Sequence, residues 1–163
     1  MIVLGIDPGI ARAGWGVISK EKGVVTLLNF GCIETPKTDK EEVRLTSLFA
    51  QIKRLIHTYQ PDALAIEKLF FTTNAKTAFA VGQARGVAML VAGQHGITVG
   101  TYTPLEVKLA ITGYGKADKH QMQKMVQSML KLSSIPRPDD AADALGIAIT
   151  HCYSAMHAKV RAL

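Results

Sequence analysis

The chain has 163 residues, 48% of them hydrophobic, with 19 Lys and Arg against 13 Asp and Glu, a formal net charge of +6. That length suits one well-cored domain over 1–163 and is too short for two ordinary ones, and the charge balance favours a polyanionic partner over an acidic small molecule. Residues 1–7 lack the basic start and long apolar stretch of a signal peptide, and no apolar run approaches a membrane span, so a cytoplasmic protein with no membrane association is expected.

Residues 2–7 and 14–19 are short β-rich runs separated by Pro8-Gly9 and small neighbours, and 24–33 offers a third, which together predict an antiparallel meander. Over 40–59 the apolar positions Val43, Leu45, Leu48, Phe49, Ile52, Leu55 and Ile56 recur mostly three and four apart, a helical period. Gln60-Pro61-Asp62 stops that helix. A short buried strand follows at 63–67, then a long Ala- and Gly-rich helix at 74–93 whose apolar surface the sheet or a partner chain must cover. A last strand is expected at 97–102, a short helix at 104–111, and another at 118–130 opened by Asp118 as N-cap with Gln121 three residues on. Pro136 and Pro138 punctuate the loop before a final helix over about 139–156. The order βββαβαβααα predicts an α/β chain with one mixed five-stranded sheet flanked by helices.

Four acids stand in apolar surroundings: Asp7 in residues 3–9 (VLGIDPG), Glu67 in 63–70 (ALAIEKLF), and Asp140 with Asp143 in 139–150 (DDAADALGIAIT). Burying an ionised carboxylate there is costly unless it is paired or coordinates a metal, so several together point to a shared cation and a metal-dependent enzyme. Asp140 and Asp143 share a helix face, but Asp139 and Asp143 do as well, and helical spacing does not choose between the pairs. Asp139, just after Pro138, is also an ordinary first-turn acid favoured by the helix dipole. The alternative for Asp7 is a turn cap, and for Glu67 a salt bridge with Lys68 or Arg85. Hard oxygen ligands from three elements are what Mg²⁺ needs in a two-metal site, where the ions activate a water and stabilise a leaving oxygen, so phosphodiester hydrolysis is the expected reaction class. Cys32 and Cys152 have no metal-ligand spacing and receive no role. His151 lies too far along the final helix to join a metal at Asp140, and His57, His95, His120 and His157 have no second ligand at a recognisable spacing.

Residues 5–9 (GIDPG), Ile66-Glu67 followed by Phe70, 82–86 (GQARG), 140–144 (DAADA) and 147–152 (IAITHC) resemble the RuvC-type Holliday-junction resolvases in this order, along essentially the whole chain. The resemblance implies a ribonuclease-H-like fold, a homodimer, and Mg²⁺ dependence with Mn²⁺ able to substitute, two ions per site. It also implies paired symmetric nicks across a four-way DNA junction that leave ligatable ends, in recombination and repair, and cooperation with the RuvA and RuvB branch-migration proteins. By that resemblance the catalytic, metal-binding acids are Asp7, Glu67, Asp140 and Asp143, which selects Asp140 over Asp139. It further implies a basic residue before the fourth helix, near Lys116 and Lys119 in a loosely matching segment 113–119 (GYGKADK).

Phe70 is expected to stack on or wedge between unstacked bases at the junction centre, with Phe71 divided between that role and packing. Lys108, Lys116, Lys119 and Lys124 form a basic stretch able to neutralise phosphates, with Lys108 and Lys119 favoured. Arg85 either binds a phosphate or helps fix a dimer. Two other classes compete: an actin-class ATPase, which shares Asp7-Pro8-Gly9 but needs two lobes around its nucleotide, and a non-catalytic junction-binding module, in which four acids would repel phosphate without metal.

Overall fold

Strands β1 (Ile2–Asp7), β2 (Arg12–Glu21), β3 (Val24–Glu34), β4 (Ala63–Glu67) and β5 (Thr98–Tyr102) form one sheet in the order β3-β2-β1-β4-β5. The structure is a computed structural model that describes residues 1–68 and 75–160, with the backbone alone for 75–77 and 155–160. The first three strands are antiparallel, and β4 and β5 run parallel to β1, giving a mixed, ribonuclease-H-like sheet. Among the described residues five helices join the sheet: α1 (Glu41–Tyr59), α2 (Ala75–Gln94), α3 (Pro104–Thr112), α4 (Lys119–Met129) and α5 (Asp139–Val160).

Strand alternation sends successive side chains to opposite faces. Leu4, Ile6, Val17, Leu64 and Ile66 join Leu48, Ile52 and Ile56 of α1 and Ala84, Ala88 and Val91 of α2 in one core. Val3, Ile18 and Ala65 point the other way and pack with Val107, Val126, Leu145, Ile147 and Ile149 of α3, α4 and α5 in a second core. The sheet is thus buried on both faces, as its β1–β4–β5 parallel part requires.

The expected elements are all present, with boundaries displaced where pairing extends beyond the apolar pattern. β2 runs well past 14–19 at both ends because its polar termini pair with β3, from Arg12 opposite Glu34 to Glu21 opposite Val24. Lys22 and Gly23, at φ 48° and 86°, make the two-residue turn whose twist matches that long hairpin. Val43, counted in the α1 stripe, stands 49% exposed in the helix's first turn, and the buried stripe begins at Leu48. Asp118 caps α4 as expected, in a reciprocal box with Gln121. A second such box, Thr103 with Glu106, opens α3.

The long α5 lies close against the sheet because β1 and β2 present glycines to it. A Cβ on Gly5 would overlap the Ala144 carbonyl oxygen and crowd Ala148, one on Gly14 would overlap the Asp140 carbonyl, and one on Gly16 would meet Leu145. This contact fixes where the first turns of α5 sit relative to the ends of β1 and β4.

Candidate active site

On β1 the residues facing α5 are Val3, Gly5 and, at the strand's end, Asp7; on β4 they are Ala65 and Glu67. The two strands are parallel neighbours, Ile6 opposite Ile66, so both carboxylates emerge at the same end of the sheet. Asp7 pairs across the ladder with Gly14, whose missing side chain admits the backbone of Asp140. Asp143 lies one turn further along α5. Asp7, Glu67, Asp140 and Asp143, far apart in sequence, are thereby brought together.

The electrostatics carry the same message. Burial, followed by the charges of Asp143, Glu67 and Asp140, pushes the Asp7 carboxyl up to about 7. Glu67 is raised by burial and by Asp143. Asp143 is raised chiefly by burial, against the pull of Lys119. Asp139 behaves differently. It is tied to Lys119 Nζ at 3.2 Å, to Gln123 Nε2 at 3.1 Å and to Arg137 Nη1, and the bond from Lys119 leads the lowering of its pKa. The two neighbouring acids thus part company, Asp140 coupled to Asp7 and Asp139 held by a shell of donors.

Among the described residues two cations form ion pairs with these four acids. Lys119, the first residue of α4, reaches Asp143 Oδ2 at 3.6 Å, and Arg12 Nη2 reaches Asp140 Oδ2 at 3.2 Å. Among the described residues no three His, Cys, Asp or Glu side chains are gathered closely enough to hold an ion as they stand. The donor set nonetheless fits a divalent cation. It consists of hard carboxylate oxygens, and their mutual repulsion at Asp7 is what a shared positive charge would relieve.

A cavity of about 270 Å³ adjoins the acids, lined by Glu67, Asp143, Lys108 and Lys119 over an apolar floor that includes Val107 and Met122. Lys108 and Lys119 are therefore placed at the acids. Lys116 and Lys124 are exposed and do not line this cavity. Phe70 and Phe71 lie outside the described residues. Arg85 donates from Nε to the Glu67 carbonyl oxygen at 3.2 Å and from Nη2 to Thr101 Oγ1 at 3.4 Å, so it secures the end of β4 rather than pairing with the Glu67 carboxylate. His151 bonds Tyr102 Oη at 2.8 Å, away from the acids as helical rise requires. Arg12 received no role from the sequence; its contact depends on the β2–β3 register and on the approach of α5 at Gly14, neither of which leaves a local sequence pattern.

The raised carboxyl of Asp7 has a consequence for stability without metal. The unfolded side chain releases its proton near 3.8 and the folded one near 7, so the folded state binds more protons across that window and its stability falls as pH rises from about 4 to 7. Each unit of displacement carries about 1.4 kcal/mol, reduced by partial solvent access, so in chelator at pH 8 Asp7→Asn is expected to be roughly 1–3 kcal/mol more stable than wild type. Urea melts at pH 4.5, 6 and 8 check this: the gap must widen with pH. A gap that is constant or narrows with pH would contradict a carboxyl raised by burial and by its acidic neighbours.

A mixed sheet with carboxylates at the ends of adjacent parallel strands, completed by a helix crossing its face, is a ribonuclease-H-like arrangement. Residues 3–151 match the family model described as crossover junction endodeoxyribonuclease RuvC. A protein of that description from Rubrobacter xylanophilus is 54% identical over 153 residues, covering 94% of this chain and 86% of the relative. The solved structure of Thermus thermophilus RuvC superposes with a TM-score of 0.89 at 35% identity, covering 97% of each chain. The same protein in complex with Holliday junction substrate gives 0.89 at 34% identity over 96% of each. The chain belongs to the RuvC family of crossover junction endodeoxyribonucleases.

Proposed function

We propose that this chain resolves four-way DNA junctions by metal-dependent phosphodiester hydrolysis, one protomer of a homodimer cutting each of two symmetry-related strands. The observation that carries this is the meeting of Asp7, Glu67, Asp140 and Asp143 at one end of the sheet, in a chain of this family. These four acids would hold Mg²⁺, with Mn²⁺ as a substitute and two ions per site. Such cations, when bound, lower the pKa of a water and stabilise the charge growing on the phosphate and leaving oxygen. Water attacks phosphorus, the bond to the 3′ sugar oxygen breaks, and that oxygen leaves with a proton, giving a 3′-hydroxyl and a 5′-phosphate that ligase can rejoin.

The chain's own residues divide the remaining work. Asp7 and Glu67 are fixed by the sheet, Asp140 and Asp143 by the helix packed on it, so the donors are held before substrate arrives. Lys119 and Lys108 border the acids and attract the strand that must approach four negative charges. Lys116 would add a phosphate contact, and Phe70 the stacking contact at the junction centre. Phe79, Met89 and Leu90 leave apolar surface on α2, which a second copy of the chain would bury. The whole of 1–163 acts as one nuclease domain. No helix among the described residues is long and apolar enough to cross a membrane; a cytoplasmic site of action and cooperation with RuvA and RuvB complete the proposal.

The test compares a labelled mobile four-way junction with a linear duplex of the same sequence, each in Mg²⁺ or in chelator. Cleavage of the junction alone, in Mg²⁺ alone, is the expected result. Junction binding without cleavage under Mg²⁺ and Mn²⁺ would replace the enzyme with a recognition module.

A further inference from the structure

Arg12 begins β2, immediately after the turn that follows Asp7, and its guanidinium is shared between two carboxylates. Nη2 stands 3.2 Å from Asp140 Oδ2 and Nε 3.6 Å from Glu34 Oε1. Glu34 lies directly opposite Arg12 in the β2–β3 ladder, so the head group is held beside the acids by strand register.

The contact is open to water. Arg12 is 48% exposed and Asp140 33% exposed at their side chains. Exposed ion pairs contribute little to stability, so the guanidinium is a weak and exchangeable occupant of Asp140. A divalent cation at the acids would compete for the same carboxylate and repel the guanidinium. Arg12 also lines a groove of about 620 Å³ with Gly9, Ile10, Arg44 and Phe79, which gives the displaced head group space beside the site. A planar guanidinium fits two phosphate oxygens at once, and a strand cut beside Asp140 would present its phosphate to the neighbouring Arg12.

We propose that Arg12 is a charge placeholder: it occupies Asp140 while the site holds no metal, gives it up when a divalent cation binds, and then grips a phosphate of the bound strand. This rests on the proposed resolvase function and adds a residue that both guards the acids and positions the substrate. It differs from a structural brace between β2, β3 and α5 in what its removal does to metal binding.

The test measures Mn²⁺ binding by isothermal titration without DNA, and junction binding in Ca²⁺ across a salt series, for wild type, Arg12→Ala and Arg12→Lys. Removing the competitor is expected to tighten Mn²⁺ binding by Arg12→Ala on the order of fivefold, the equivalent of one exposed ion pair. The slope of log affinity for the junction against log salt should become shallower by about 1 per protomer, reporting one lost phosphate contact. Arg12→Lys should stay near wild type for Mn²⁺ and lose junction affinity, because a point charge competes for Asp140 but lacks the fork. Mn²⁺ binding unchanged or weakened in Arg12→Ala, or an unaltered salt slope, overturns the proposal. Thermal melts confirm that the variants are folded. Wild-type junction cleavage is measured separately, so failure of the resolvase function shows there and failure of the placeholder shows in the titration.

Discussion

Glu67→Gln is expected to slow junction cleavage on the order of 1,000-fold or more, a loss of about 4 kcal/mol of transition-state stabilisation, while junction affinity in Ca²⁺ changes by no more than about threefold. Glu67 ends a strand whose preceding residues Ala63, Leu64, Ala65 and Ile66 are fully or almost fully buried, and Arg85 secures its carbonyl. The amide is nearly isosteric, so the backbone and the neighbouring acids keep their places. What is lost is one negative charge among four that a divalent cation would need. Phosphate attraction comes from lysines and arginines, and removing a carboxylate does not weaken it. Asp143→Asn is expected to behave likewise, with the further effect that Lys119 loses the charge it now meets at 3.6 Å. Parallel gel-shift and single-turnover assays separate the two quantities. Binding lost in proportion to cutting would mean that the acids shape the DNA surface rather than the reaction.

Gly14→Ala is expected to destabilise the fold strongly, since among the glycines whose surroundings are described its added methyl makes the closest backbone overlap. The added Cβ would overlap the carbonyl carbon and oxygen of Asp140, both backbone atoms in a helix whose residues Ala141, Ala142, Ala144 and Leu145 are buried. No side chain can rotate to relieve that overlap. The strand or the helix must shift, and small-to-large changes in tight packing cost about 1–3 kcal/mol or more. We expect a loss of at least about 3 kcal/mol by urea melt, with cleavage reduced beyond what the folded fraction accounts for, because the same shift moves Asp140 away from Asp7. At Gly146 of the same helix, by contrast, a Cβ meets nothing nearer than Val107 Cγ1 at 3.7 Å, an ordinary contact, and Gly146→Ala serves as the matched control. Equal stability of the two variants would refute the close approach of α5 to β2.

The same packing explains what was legible in the sequence. Local periodicity marked each strand and helix, because alternation and the 3.6-residue repeat are properties of neighbours in the chain. Asp7, Glu67, Asp140 and Asp143 stood out because a carboxylate in an apolar run is costly wherever it occurs. Asp7 and Glu67 each close an apolar strand run, but their meeting with α5 depends on three glycines that read locally only as small residues. The choice between Asp139 and Asp140 came from family resemblance, not from helical spacing. In the structure the physical difference is tertiary: Gln123 and Lys119 from α4 hold Asp139, together with Arg137, while Asp140 turns to Arg12 and couples to Asp7. The roles of Arg12 and Arg85 were equally hidden, since both follow from contacts between segments distant in sequence.

The most direct measurement of the central claim places a distinct label on each strand of a four-way junction and maps nicks made in Mg²⁺ by wild type and by Glu67→Gln at matched junction occupancy. Two nicks at symmetry-related positions in opposite strands, sealed by ligase and absent with the variant, are the predicted result. Nicks scattered over all four strands, or the same pattern from Glu67→Gln, would contradict it.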